Sequence, residues 1–100
     1  MKRYKVVITS GALNDANAIF DYITASNPRA AAKTVQAFRA RIRSLATMPQ
    51  RYSLAPENDS LDHGEIRHMH HGRYRIIYAI EKHNVLILEI RHGARLPRGH

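Results

Sequence analysis

The chain predicts an α+β fold in the order β-α-α-β-β-β, a small curved antiparallel sheet packed on an antiparallel helical hairpin. Three observations carry this prediction: two stretches with apolar residues at helical spacing, a short link between them ending on Asn27-Pro28, and strand-like runs crowded together after Gly64. One hundred residues with 44% hydrophobic content supply one modest core, so residues 1–100 read as one domain.

Lys5 to Thr9 is β-branched and stops at Ser10-Gly11, the pattern of a strand feeding a helix, with Ser10 as the candidate cap. Ala12, Leu13, Ala16, Ile19, Phe20 and Ile23 then recur every three or four residues, while Asn14, Asp15, Asn17 and Asp21 fall between them. This helix ends near Ala25. Asn27 can accept a hydrogen bond from an orphan amide, and Pro28 already has helical φ, so a second helix starts there. Val35, Phe38, Ile42 and Leu45 mark its inner face, and Met48-Pro49 stops it. The expected helical core is Ala16, Ile19, Ile23, Val35, Phe38, Ile42 and Leu45.

Gln50 to Gly64 holds Pro56, Asn58, Asp59, Ser60 and Asp62 and reads as loop. Three runs follow it: Glu65 to His70, Tyr74 to Glu81 and Val85 to Arg91. The second is apolar at nearly every step and rich in β-branched and aromatic residues, as a central strand would be. Tyr74 and Tyr78 alternate there with Ile76 and Ile80, which favours packing over base stacking. Lys82-His83-Asn84 is a tight connector, with Asn84 the candidate for a left-handed turn conformation. The tail from Gly93 to His100 shows no periodicity.

Twelve Arg and four Lys stand against eight acids, for a net charge of +8. Such an excess points to an anionic partner, and the dominance of Arg favours fixed bidentate recognition over diffuse attraction. The absence of Cys excludes disulfides, thiolate nucleophiles and Cys-ligated zinc. The apolar run after Lys5 is too short for a signal peptide, and nothing approaches the roughly 20 apolar residues of a membrane span. A cytoplasmic protein without membrane contact is expected.

Arg67, Arg75, Arg91 and Arg95 lie on or just past the C-terminal strands, where they can converge on one side of the sheet. They read either as a guanidinium cluster for a target or a partner's acids, or as ordinary strand arginines paired with Glu65, Glu81 and Glu89 at about 0 to 1 kcal/mol each. His68 and His70 share a strand face near His63 and His71, yet no third preoriented ligand accompanies them, so a polar strand end is expected and neither metal nor cofactor. Arg39, Arg41 and Arg43 read as a solvated helix face or as a row able to follow a DNA backbone.

Six segments, in order, resemble the ParE branch of the ParE/RelE toxin superfamily. They are Ala12 to Ala25 with Asp21-Tyr22-Ile23, Asn27-Pro28 with Ala30-Ala31, Leu45-Ala46-Thr47-Met48-Pro49, Glu65-Ile66-Arg67, Tyr74-Arg75-Ile76-Ile77-Tyr78, and Ile90-Arg91-His92-Gly93-Ala94-Arg95. The resemblance implies a bacterial type II toxin, linked to plasmid stabilization and neutralised in a hetero-oligomer by a ParD-like antitoxin. ParE-type members poison DNA gyrase, which would bring the chain into indirect contact with DNA. RelE-type members cut messenger RNA in the ribosome.

Metal-free RNA cleavage needs an activated 2′-hydroxyl, a stabilised phosphorane and a protonated leaving oxygen. Arg67, Arg75 and Arg95 could serve the phosphate, but the only proton carrier past Arg95 is the terminal His100, on a Pro-Gly tail ill suited to preorganisation. The Asn27-Pro28 turn and long hairpin also resemble ParE more than RelE. The expectation is a gyrase inhibitor acting by binding, with a metal-independent, ribosome-dependent endoribonuclease and a non-toxic nucleic-acid-binding module as alternatives.

Overall fold

In the computed structural model, which describes residues 3–59 and 64–92, the elements follow the expected order: β1 Lys5–Ile8, α1 Ser10–Thr24, α2 Pro28–Ser44, β2 Glu65–His71, β3 Tyr74–Glu81 and β4 Asn84–His92. Two 3-10 turns, Pro49–Arg51 and Pro56–Asp59, shape the segment read from sequence as loop. No helix among the described residues is long and apolar enough to cross a membrane.

The sheet order is β1-β4-β3-β2. β2, β3 and β4 are antiparallel as expected, but β1 joins β4 in parallel, so the sheet is mixed. The ladder runs from the Lys5 amide on the His83 carbonyl to the Thr9 amide on the Ile87 carbonyl. Pairing across almost the whole chain leaves no local sequence signal for its direction.

Thr9, not Ser10, caps α1. Thr9 is extended, its Oγ1 accepts from the Ala12 amide at 3.3 Å, and the same hydroxyl donates to the Ile87 carbonyl at 2.6 Å. Ser10 is already helical and exposed. One hydroxyl thus joins the end of β1, the start of α1 and β4. Asn27 caps α2 as expected, its Oδ1 accepting from the Ala30 amide at 3.1 Å with Pro28 in the first turn. α2 ends at Ser44 because the chain tightens there, the Leu45 amide reaching the Ile42 carbonyl, before Met48 turns left-handed at φ 49° ahead of Pro49.

The helical hairpin covers one face of the sheet. Ala12, Phe38, Ile42 and Leu45 bury against Met69, Ile76, Tyr78, Val85, Ile87 and Ile90, with Ala16 and Ile19 packed at the margin. Ile23 and Val35, expected in the core, are only half-buried. Tyr78 is wholly buried, and its hydroxyl donates to the Pro49 carbonyl at 2.6 Å. Where β4 runs on past β1, the Asp15 carboxylate of α1 accepts from the Ile90 amide at 3.0 Å.

Gly72 takes φ +58° between β2 and β3, a conformation that suits glycine. Between β3 and β4 the left-handed residue is Lys82, at φ 55°, and not Asn84, which opens β4. Gly64 is needed for close approach, because a Cβ there would stand 2.6 Å from the Ile80 carbonyl oxygen. The β3–β4 register shifts between Ile77 and Tyr78, whose partners are Glu89 and Ile87, so Leu88 is the extra residue of a bulge.

Candidate functional site

Away from the helices, the sheet presents a second face. Register places His70, Arg75 and Arg91 in one row across β2, β3 and β4, His68, Ile77 and Glu89 in the next, and Ile66, Ala79 and Leu86 beyond. The far end is apolar, with Ala55, Ile66, Ile77 and Ala79 buried together and Leu86 and Leu88 beside them. The end near the β2–β3 turn is charged.

The segment before β2 partly covers this face. The Ala55 amide donates to the Ile66 carbonyl, the Ile66 amide to Asn58 Oδ1 at 2.8 Å, and the His68 amide to the Ser53 carbonyl. These bonds lay residues 53–58 along the outer edge of β2 and aim Glu57 at Arg75. The two meet in a buried fork, Nη2 to Oε2 at 2.6 Å and Nη1 to Oε1 at 3.2 Å. Arg75 Nη1 also lies 2.9 Å from His68 Nδ1. A guanidinium can only donate, so Nδ1 accepts and the neutral ring of His68 carries its proton on Nε2. His68 and His70 stack obliquely, with ring centroids 4.9 Å apart.

The electrostatics follow from this geometry. The Arg75 hydrogen bonds hold the Glu57 carboxyl below its ordinary value against the opposing effect of burial. Burial first, and then the Arg75 charge, push His68 below its ordinary value. The network is therefore a carboxylate, a guanidinium and a neutral imidazole locked together.

The four arginines singled out from sequence are not one cluster. Arg75 and Arg91 share the helix-free face, and Arg91 Nη1 lies 3.6 Å from Glu89. Arg67 pairs in register with Tyr78 and so stands on the helix-covered face, where it binds Glu65 and donates to the Tyr52 carbonyl. Arg95, His63 and His100 lie outside the described residues. The expected carboxylates serve Arg67 and Arg91, but the partner of Arg75 is Glu57, a loop residue that no periodicity marks.

Arg39, Arg41 and Arg43 also part company. Arg41 turns inward, donating to the His70 carbonyl at 2.9 Å, while Arg39 and Arg43 are exposed. Among the described residues no group of three or more His, Asp or Glu is arranged to hold a metal.

The chain is thus a basic α+β protein with two helices packed on one face of a four-stranded sheet. The family profile of the ParE toxin of type II toxin-antitoxin system, parDE, covers residues 6–97, and the chain belongs to this family. Its fold is similar to that of a chain from a chromosomal ParDE TA system of P. aeruginosa, with a TM-score of 0.72 at 18% identity over 90% of this chain and 96% of that one. It is also similar to a chain of the toxin-antitoxin complex RelBE2 from Mycobacterium tuberculosis, with a TM-score of 0.58 at 25% identity over 90% and 98%. No curated protein matches the chain.

Proposed function

We propose that this ParE-type toxin inhibits DNA gyrase by docking, and that a cognate ParD-like antitoxin silences it in a hetero-oligomer. The observation that carries the docking reading is the separation of Arg67 from Arg75. They stand on opposite faces of the sheet, and each is already held by a carboxylate of its own chain. A metal-free ribonuclease needs its cations gathered around one phosphate before the reaction begins. Two paired guanidiniums with a sheet between them do not meet that need, whereas a rigid surface suits recognition of a protein.

Antitoxin binding is supported by the toxin–antitoxin assemblies from which both similar structures come. The net charge of +8 favours an acidic partner segment that orders as it binds. The ribonuclease reading keeps one specific support, the likeness to a RelBE2 chain at 25% identity.

Expression of the chain without antitoxin separates the two. Gyrase inhibition leaves cleaved chromosomal DNA in the arrested cells and transcripts intact. Messenger RNAs cut at codon-spaced positions, with uncleaved DNA, would assign the chain to the RelE chemistry instead.

A further inference from the structure

The outward face of α2 is cationic along its whole length and holds no acid. Arg29, Lys33, Arg39 and Arg43 are all exposed, with Ala32, Gln36 and Ala40 between them, whereas Ala31, Phe38 and Ile42 face the core. At 100° per residue the four cations fall within about one third of the helix circumference, and they extend over about 21 Å of axis. None of the four has a side-chain hydrogen bond or ion pair among the described residues, unlike Arg41, Arg67, Arg75 and Arg91. Among the described residues no carboxylate forms an ion pair with this row.

We propose that this face docks the phosphate backbone of duplex DNA without reading its sequence. A duplex carries about one charge per 1.7 Å of axis, so a straight 21 Å row meets an excess of phosphates. Gln36 adds a neutral donor in the middle of the row. Single-stranded nucleic acid is the poorer fit, because its binders stack bases on aromatic rings and the one aromatic residue of α2, Phe38, is buried. A protein segment is also the poorer fit. Protein interfaces centre on large apolar or aromatic anchors, and the exposed ones here lie elsewhere, at Ile8, Leu13, Phe20, Tyr22, Met48 and Leu54. The inference stands apart from the gyrase reading, since DNA alone tests it.

The purified full chain is titrated onto a short labelled duplex across about 50 to 200 mM salt, and the slope of log affinity against log salt is read. Four phosphate contacts contribute a slope of about −3.6, equivalent to about 150-fold over that range. The variant combining Arg29→Gln, Lys33→Gln, Arg39→Gln and Arg43→Gln is expected to lose most of that slope and to weaken binding more than tenfold at the lower salt. A charge-matched variant at the exposed Arg3, Lys5, Arg73 and Lys82 is expected to keep most of it. Both variants are expected to keep the parent's circular dichroism spectrum, since all eight positions are exposed. Equal losses in the two variants would reduce the effect to net charge and overturn the proposal. So would tighter binding to a single strand of the same length, or displacement of the duplex by polyglutamate at equal charge concentration, which would give the face to an acidic polypeptide.

Discussion

The Arg75 guanidinium closes a buried two-bond fork on the Glu57 carboxylate, tying the segment before β2 down onto the middle of the sheet. Eighteen residues separate the two in sequence. The fork neutralises the only two charged residues that the described structure buries, and the shape of the helix-free face depends on it.

Breaking the fork from one side leaves an uncompensated buried charge. Arg75→Met or Glu57→Gln is expected to lower unfolding free energy by about 3–5 kcal/mol, while the double variant Arg75→Met with Glu57→Leu recovers much of that loss. Urea denaturation of the three variants measures it. Single variants within about 1 kcal/mol of the parent would show that the fork forms no part of the stable fold.

Acid should weaken this network in two windows. His68 has a lowered pKa in the fold, so it favours folding while neutral; its contribution is full above its ordinary 6.5 and is lost as pH falls from there through the lower folded value. Glu57 is also lowered, so its contribution is full above 4.5 and fades as pH drops below that. Both losses have the same sign. Melting temperature should therefore fall in two steps, and His68→Gln should remove the upper one. A profile that is flat from pH 7 to 5 in the parent would contradict the neutral assignment.

The Thr9 hydroxyl caps α1 and reaches the Ile87 and Leu88 carbonyls of β4, whereas Ser10 lies within the first turn of the helix. Thr9→Ala should cost about 1–2 kcal/mol by removing the cap of α1 and the bond to Ile87, and Ser10→Ala should cost less than about 0.5. Thermal unfolding of both variants gives the comparison.

Tyr78 is an interior hydroxyl, and burial pushes its ionisation far above the ordinary 10. Tyr78→Phe should cost about 1–3 kcal/mol, because the Pro49 carbonyl is left unpaired. Phe38→Ala, which empties the centre of the helical core, should cost about 3–5. In alkaline difference spectra Tyr78 should ionise only on unfolding.

The sequence was most legible where structure is local. The Tyr74 to Glu81 strand and the Asn27-Pro28 start came through unchanged, because β-branched density and cap chemistry act within a few residues. What failed was long-range or depended on parity. β1 pairs with β4 across the whole chain, and Glu57 meets Arg75 from a segment with no periodic pattern. The split between Arg67 and Arg75 was within reach: with Gly72-Arg73 as a two-residue turn, His71 pairs with Tyr74, and counting back puts Arg67 beside Tyr78 and His70 beside Arg75. That parity depends on β2 running to His71, one residue past the His70 end expected from sequence. In α2, Arg39, Arg41 and Arg43 are neighbours in sequence, but at 100° per residue Arg41 falls on a different side of the helix from the other two.

Action by docking and not by bond cleavage is tested most directly with purified components. Gyrase, relaxed plasmid and the chain together should lose supercoiling activity and accumulate cleaved DNA, and translating ribosomes given the same chain should keep their messenger RNA whole. Unimpaired supercoiling beside messenger RNA cut on the ribosome would contradict it.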